Sequence, residues 1–128
     1  MLDYARQRAI DLLKIPRTAI LATNGPAGVQ VGEFACQADG LELFLSVPWI
    51  SDHLFNLEHD VSVTLLTGEW ELKGTAQIVF DRASISGMSL LSKPGAELYA
   101  LVRVSPSRIQ IRRAGGWGSV ETIDLVTD

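Results

Sequence analysis

A single cysteine, Cys36, is all the sequence contains, so no disulfide can form within the chain. It lies in a strand-like stretch with no cationic neighbour in sequence, so the expectation is a packed thiol rather than a reactive one. Only two histidines are present, His53 and His59, and no Cys-x-x-Cys or His-x-x-x-His pair accompanies them, which argues against a zinc site. There is no Gly-x-Ser-x-Gly elbow for a serine nucleophile. No Gly-x-Gly-x-x-Gly opens a helix, so a Rossmann nucleotide site is not indicated. No apolar run is long enough to span a bilayer. The opening residues lack the successive charged, apolar and small-residue blocks of a signal peptide, so a cytoplasmic protein is expected. Basic residues are outnumbered, 11 Lys and Arg against 15 Asp and Glu, for a net charge of −4. That balance speaks against nucleic acid and against an anionic membrane surface as partners, since both require a basic footprint.

What is present suits one folded domain covering residues 1–128. Of the 128 residues, 47% are hydrophobic and 20% charged, enough apolar material for a core and too much for global disorder. Residues 2–14, LDYARQRAIDLLK, place Leu2, Ala5, Ala9, Leu12 and Leu13 at helical spacing, and Pro16 marks the stop. The period then shortens. RTAILAT (17–23) runs into NGPAG, a strong turn signal. VQVGEFAC (29–36) and LELFLSV (41–47) follow with short connections, and short connections favour an antiparallel meander. Two further strands, 61–66 and 69–80, are joined by a turn at Thr67-Gly68. Gly74 inside the longer one predicts a bulge or bend. The stretch DRASISGMSLLSKPG (81–95) is weaker: Asp81 can cap a helix, but Gly87 works against one. AELYALVRVSPS and RIQIRR read as two strands, and AGGWGSVETIDL as a Gly-rich loop with a short final strand. Six or more strands with an N-terminal helix and short inserted helices predict a small closed barrel, mainly β.

The segment LSVPWISDHLFNL (45–57) is the most specific chemically. A strand ends at Val47, Pro48-Trp49 turn the chain, and a short helix is expected over about 50–57. Its first N–H groups lack helical partners and attract an anion, with Ser46 and Ser51 offering hydroxyls. The plainer reading makes Ser51 an ordinary cap and lets Asp52 satisfy the helix dipole. Trp49 either stacks on a ring or covers the barrel end. Trp117, in GGWG, is either a lid for a flat ligand or a surface residue of a flexible loop, and the residues alone favour the latter. His59 is read as a helix-end residue favoured by the dipole.

The order of PRTAILAT (16–23), ADGLELFLSVP (38–48), SDHLFNLEHDVSVTLL (51–66), GTAQIV (74–79), LVRVSPSRIQI (101–111) and Trp117 with ETIDL resembles the pyridoxamine 5′-phosphate oxidase-like proteins. The resemblance implies a six-stranded antiparallel split β-barrel that forms a homodimer. It also implies FMN at the dimer interface, with the phosphate near the end of the third strand and the start of the next helix. Carried over residue by residue, Ser46, Val47, Pro48, Trp49, Ser51, His53, Asn56 and Trp117 become the expected cofactor-binding residues. Ser51, Asn56 and Leu57 keep the family pattern Ser-Arg-Lys-x-x-Asn-Leu, whereas Asp52 and His53 replace its two cations. The second strand, VQVGEF, also lacks an arginine used for phosphate. Arg17, Arg112 or Arg113 could supply the missing charge from elsewhere.

Two functions follow from the resemblance. One is an FMN-dependent oxidoreductase, not pyridoxamine phosphate oxidase proper, in which the flavin does the chemistry and no side chain is assigned a catalytic part. The other is a split-barrel homodimer that has lost FMN and holds haem, a deazaflavin, free flavin or nothing.

Overall fold

The computed structural model describes residues 2–81, 88–92, 94–113 and 116–125; for 2, 3, 92, 113 and 116–120 it describes the backbone alone. Helix α1 (Leu2–Leu13) ends three residues before Pro16 and buries Ala9 and Leu13 completely. Ala5 and Leu12 pack beside them, so the apolar stripe read in the sequence is the face that closes one end of the core. Seven strands follow: β1 (Thr18–Thr23), β2 (Gln30–Asp39), β3 (Glu42–Pro48), β4 (Ser62–Leu66), β5 (Trp70–Val79), β6 (Tyr99–Arg113) and β7 (Gly116–Asp124). Helix α2 (Asp52–Leu57) lies between β3 and β4, and helix α3 (Ser89–Ser92) with a 3-10 turn (Ala96–Leu98) precedes β6.

The strands form one antiparallel sheet ordered β3-β2-β1-β4-β5-β6-β7, and β3 also pairs with β6. That pairing closes six strands into a barrel, as the resemblance implied. Leu43 faces Val104 and Pro48 faces Tyr99 along the closing ladder. The first half of β6 therefore seals the barrel, while its second half carries β7, with Arg108 opposite Asp124. Inside lie Leu21, Leu43, Leu45, Leu65, Leu72 and Ile109, all fully buried. Each stabilises the fold by roughly 1.5–3 kcal/mol relative to an exposed side chain. A second, smaller cluster sits outside the barrel, where Met88 and Leu90 cover Phe44, Val79 and Leu101.

The structure departs from the sequence reading in two places. The two strands read over 99–113 are one continuous strand, although Ser105-Pro106-Ser107 looks like a break. Pro106 lies opposite Gly74, where the β5–β6 register shifts, so the N–H it lacks is not needed by the ladder. The Gly-rich loop read at 114–118 already belongs to β7 from Gly116 onward, because the free edge of β6 pairs Arg113 with Gly116. The cap assigned to Asp81 depends on residues 82–87, which lie outside the described residues.

The bend expected at Gly74 is present, and its cause is steric. A Cβ there would run into the Ser105 carbonyl and stand 2.9 Å from the Pro106 Cα, both backbone atoms that cannot rotate away. Gly74→Ala is therefore expected to destabilise the fold by about 1–3 kcal/mol, read as a lower urea midpoint with an unchanged slope.

Candidate functional site

The end of β3 and the start of α2 are held by a buried polar cluster. Ser51 caps α2, its hydroxyl accepting the His53 N–H at 3.2 Å. Asn56, wholly buried, uses its amide fully within the protein. Its Oδ1 accepts the Ala27 N–H at 3.0 Å, while its Nδ2 donates to the Gly28 carbonyl at 2.9 Å and to Thr23 Oγ1 at 3.2 Å. The β1–β2 turn is thus tied to the helix, and Gly25 permits the approach: a Cβ there would be 2.7 Å from Asn56 Oδ1.

His53 belongs to the same cluster. Its Nδ1 lies 2.8 Å from Thr23 Oγ1, and its ring meets the edge of Phe34 at a centroid distance of 5.3 Å. Thr23 Oγ1 thus joins the Asn56 amide and the His53 ring in one buried hydrogen-bonded group. Burial lowers the His53 pKa below its usual 6.5, against a weaker opposing pull from Asp52. His53 is accordingly a neutral packing residue near pH 7 and supplies no cation. His59, by contrast, is exposed, and its Nδ1 stands 3.1 Å from the Phe55 carbonyl near the end of α2.

Beside this cluster, on the outer face of the barrel, lies a cavity of about 450 Å³. Its walls are Glu33, Phe34 and Ala35 of β2, Ser46 and Pro48 of β3, Tyr99 at the start of β6, and Leu90, Pro94 and Ala96 from the covering segment. It is mostly apolar, and Glu33 is the one charged residue among its described walls.

Of the eight residues expected to bind a cofactor, Ser46 and Pro48 line this cavity. Val47 points the other way into the core. Trp49 turns outward and stacks on Phe80, with ring centroids 6.3 Å apart. Ser51, His53 and Asn56 are engaged in the cap and the buried cluster. Trp117 lies on β7, and its side chain is outside the described residues. Arg17 lines a separate cavity with Thr18 and Glu69, and Arg112 is an exposed residue near the far end of β6. The sequence reading missed Glu33, Phe34, Ala35 and Tyr99. Alternation along β2 could have marked Glu33 and Ala35 as sharing one face, but not which neighbours complete the wall.

Other chemistries find little support. Cys36 is buried, and burial pushes its thiol up to about 11, far from a reactive thiolate. No group of His, Cys, Asp or Glu suited to a metal occurs among the described residues. No described helix is long and apolar enough to cross a membrane.

Neither a protein-family model nor a curated protein matches the sequence. Solved structures do match. A protein related to general stress protein 26, of the pyridoxinephosphate oxidase family from Clostridium acetobutylicum, superposes with a TM-score of 0.73 at 18% identity, over 98% of this chain and 96% of that one. A heme binding protein from Mycobacterium smegmatis matches with a TM-score of 0.67 at 18% identity, over 94% of this chain but 57% of its own length. A FAD-binding protein from Mesorhizobium loti matches with a TM-score of 0.62 at 13% identity, over 80% and 90% of the two chains. The chain thus has the split-barrel fold of the pyridoxamine 5′-phosphate oxidase-like proteins.

The buried histidine gives the fold a pH dependence whose sign is fixed. The folded state resists protonating His53 while the unfolded chain protonates it near 6.5, so protons bind preferentially to the unfolded state. Stability is expected to fall as pH drops below about 6.5 and to stop falling below the depressed folded pKa. Urea midpoints at pH 5.5 and 7.5 check this, and His53→Gln should remove the part of the slope that His53 contributes.

Proposed function

We propose that the protein is a homodimeric split-barrel flavoprotein that holds the isoalloxazine ring in the β2–β3–β6 cavity, with FMN as the cofactor that the resemblance implies. The observation that carries this reading is the cavity itself. It is mostly apolar, it is lined by Phe34, Pro48 and Tyr99, and it lies beside Ser46 at the end of β3. Ser46 and backbone groups of β2 and β3 would orient the ring, and Phe34, Pro48 and Tyr99 would shield it from water. Bound there, a flavin supplies electron or hydride transfer, which suits a site without an acid–base pair of its own.

The phosphate is less well provided for. Asp52 is exposed in the first turn of α2, His53 is neutral, and no cation is found among the cavity's described walls. The ring, rather than the phosphate, is therefore expected to supply most of the affinity. The same observation keeps a second reading in view, another flat ligand such as haem, for which Glu33, Ser46 and Tyr99 are the described side-chain oxygen donors in the lining.

A second copy of the chain is expected against the outer face of β1, β2 and β4. Ile20, Ala22, Val31 and Leu66 share that face, as their pairing shows. Positions that alternate with the core usually carry polar residues when they meet water. Here Ile20, Ala22, Val31 and Leu66 are apolar beside the polar Glu33 and Thr64 of the same face, and Val31 and Val29 are 66% and 71% exposed. Such a patch marks a contact surface.

Two experiments test these statements. The absorption spectrum of the purified protein, with titrations of FMN, riboflavin and haemin, is expected to show flavin binding. Ala35→Trp, which fills the cavity, should weaken it roughly ten-fold or more. A colourless protein that takes up no flavin overturns the reading, and uptake of haemin alone favours the second one. Light scattering after size exclusion should give a dimer for the native chain, and Val31→Lys should shift it toward the monomer by burying an unpaired charge at the contact.

A further inference from the structure

Another outer cavity, larger than the one assigned to the ring, has no part in holding it. It measures about 520 Å³ and lies where α1 ends, β1 begins and β4 turns into β5. Its apolar walls include Leu12, Ile15, Ile20, Leu66 and Trp70, and its charges are Arg17, Glu33 and Glu69. None of these three charged residues enters an ion pair among the described residues. One cation and two carboxylates thus share a cavity with apolar walls and do not neutralise one another.

Their backbones are well anchored. The Arg17 carbonyl accepts the Cys36 N–H at 2.8 Å. The β4–β5 turn is closed by Thr67 N–H to the Trp70 carbonyl at 2.9 Å, and the Thr67 hydroxyl accepts the Glu69 N–H at 3.2 Å. Glu33 sits opposite Ile20 on the β1–β2 ladder, and its carboxylate accepts the Thr18 hydroxyl at 3.3 Å. Charges mounted on fixed backbone around an apolar cavity recognise a ligand with matching separated charges and an apolar body.

We propose that this cavity is a binding site for a small amphoteric molecule, of the chemistry of an apolar α-amino acid. Arg17 takes the carboxylate, Glu33 and Glu69 take the ammonium, and Ile15, Leu66 and Trp70 receive the apolar body. Arg17 presents its planar fork to the carboxylate. The two glutamates make the lining more acidic than basic, so a plain carboxylate is disfavoured. A plain amine leaves Arg17 without a counter-charge. Glu33 lines this cavity and the ring cavity alike, and it is the one residue common to the two. The proposal does not depend on what the ring cavity holds. Ile20, Glu33 and Leu66 of this cavity lie on the face assigned to the second copy, so a partner pairing there would cover that side of the site while Ile15, Arg17 and Glu69 complete the rest.

L-Phenylalanine, 3-phenylpropionate and 2-phenylethylamine serve as probes, since the last two each lack one of its charges. Calorimetry of the purified full chain is expected to show saturable binding of L-phenylalanine. Each single-charge analogue should bind about ten-fold more weakly. Arg17→Ala should abolish the preference over 2-phenylethylamine, and the double variant Glu33→Gln, Glu69→Gln the preference over 3-phenylpropionate. The three side chains are exposed, so the variants are expected to keep the native circular dichroism. No saturable binding at millimolar L-phenylalanine overturns the proposal. So does equal affinity for all three probes, or discrimination that survives both variants. Flavin titration of Arg17→Ala separates the two sites: Arg17 does not line the ring cavity, so flavin uptake should be unchanged whether or not the amphoteric ligand binds.

Discussion

The pairing of β3 with β6 is the contact on which the rest of the molecule depends. It joins residues far apart in sequence, Leu43 with Val104 and Pro48 with Tyr99, and removes two open edges from the sheet. Closure makes the interior a sealed apolar core. It also brings Tyr99 to the end of β3, where it and the segment before it face Ser46, Pro48 and Ala35 across the smaller cavity. Were the barrel open at this seam, that cavity would lose one wall. The β5–β6 bulge at Gly74 serves the same end, since it lets one long strand seal the barrel with its first half and carry β7 with its second.

The second constraint is the polar cluster that fastens α2 to the β1–β2 turn. Thr23, His53 and Asn56 are buried together, and their side chains satisfy one another and the turn backbone. Buried polar groups are tolerable only when paired in this way. The consequence for function is electrostatic. His53, next to Asp52 in the first turn of α2, is withdrawn from the surface and held neutral. Whatever binds at the end of β3 meets apolar walls, hydroxyls and one carboxylate, and not a strong positive field. Binding led by ring packing is the chemistry such a surface offers.

Much of the fold was legible in the residues. Helical spacing over 2–14, alternation along RTAILAT, and turn residues at NGPAG and Thr67-Gly68 each report a local preference, and local preference agrees with the tertiary outcome there. Gly74 was legible for the same reason, because a glycine inside a strand points to a close approach even when its partner is unknown. Pro106 misled, since the missing N–H matters only if the partner strand demands it, and the register shift at Gly74 removes that demand. Of the site, Ser46 and Pro48 were legible from their place at a strand end. Phe34, Tyr99 and the segment over 90–96 were not, because a wall assembled from β2, β3 and β6 leaves no pattern in any one of them.

By itself the sequence determined the kinds of element, their order, the buried cysteine and the want of metal or nucleophile motifs, because each of these rests on spacing between near neighbours or on composition. The charge and direction of individual side chains were decided only in the folded chain. His53 is a cation or a core residue according to whether Thr23 and Phe34 reach it. Arg17 and Glu69 are surface charges or two poles of one cavity according to where the β4–β5 turn lands against β1. Electrostatics acts through distance and burial in space, and neither can be read along the chain.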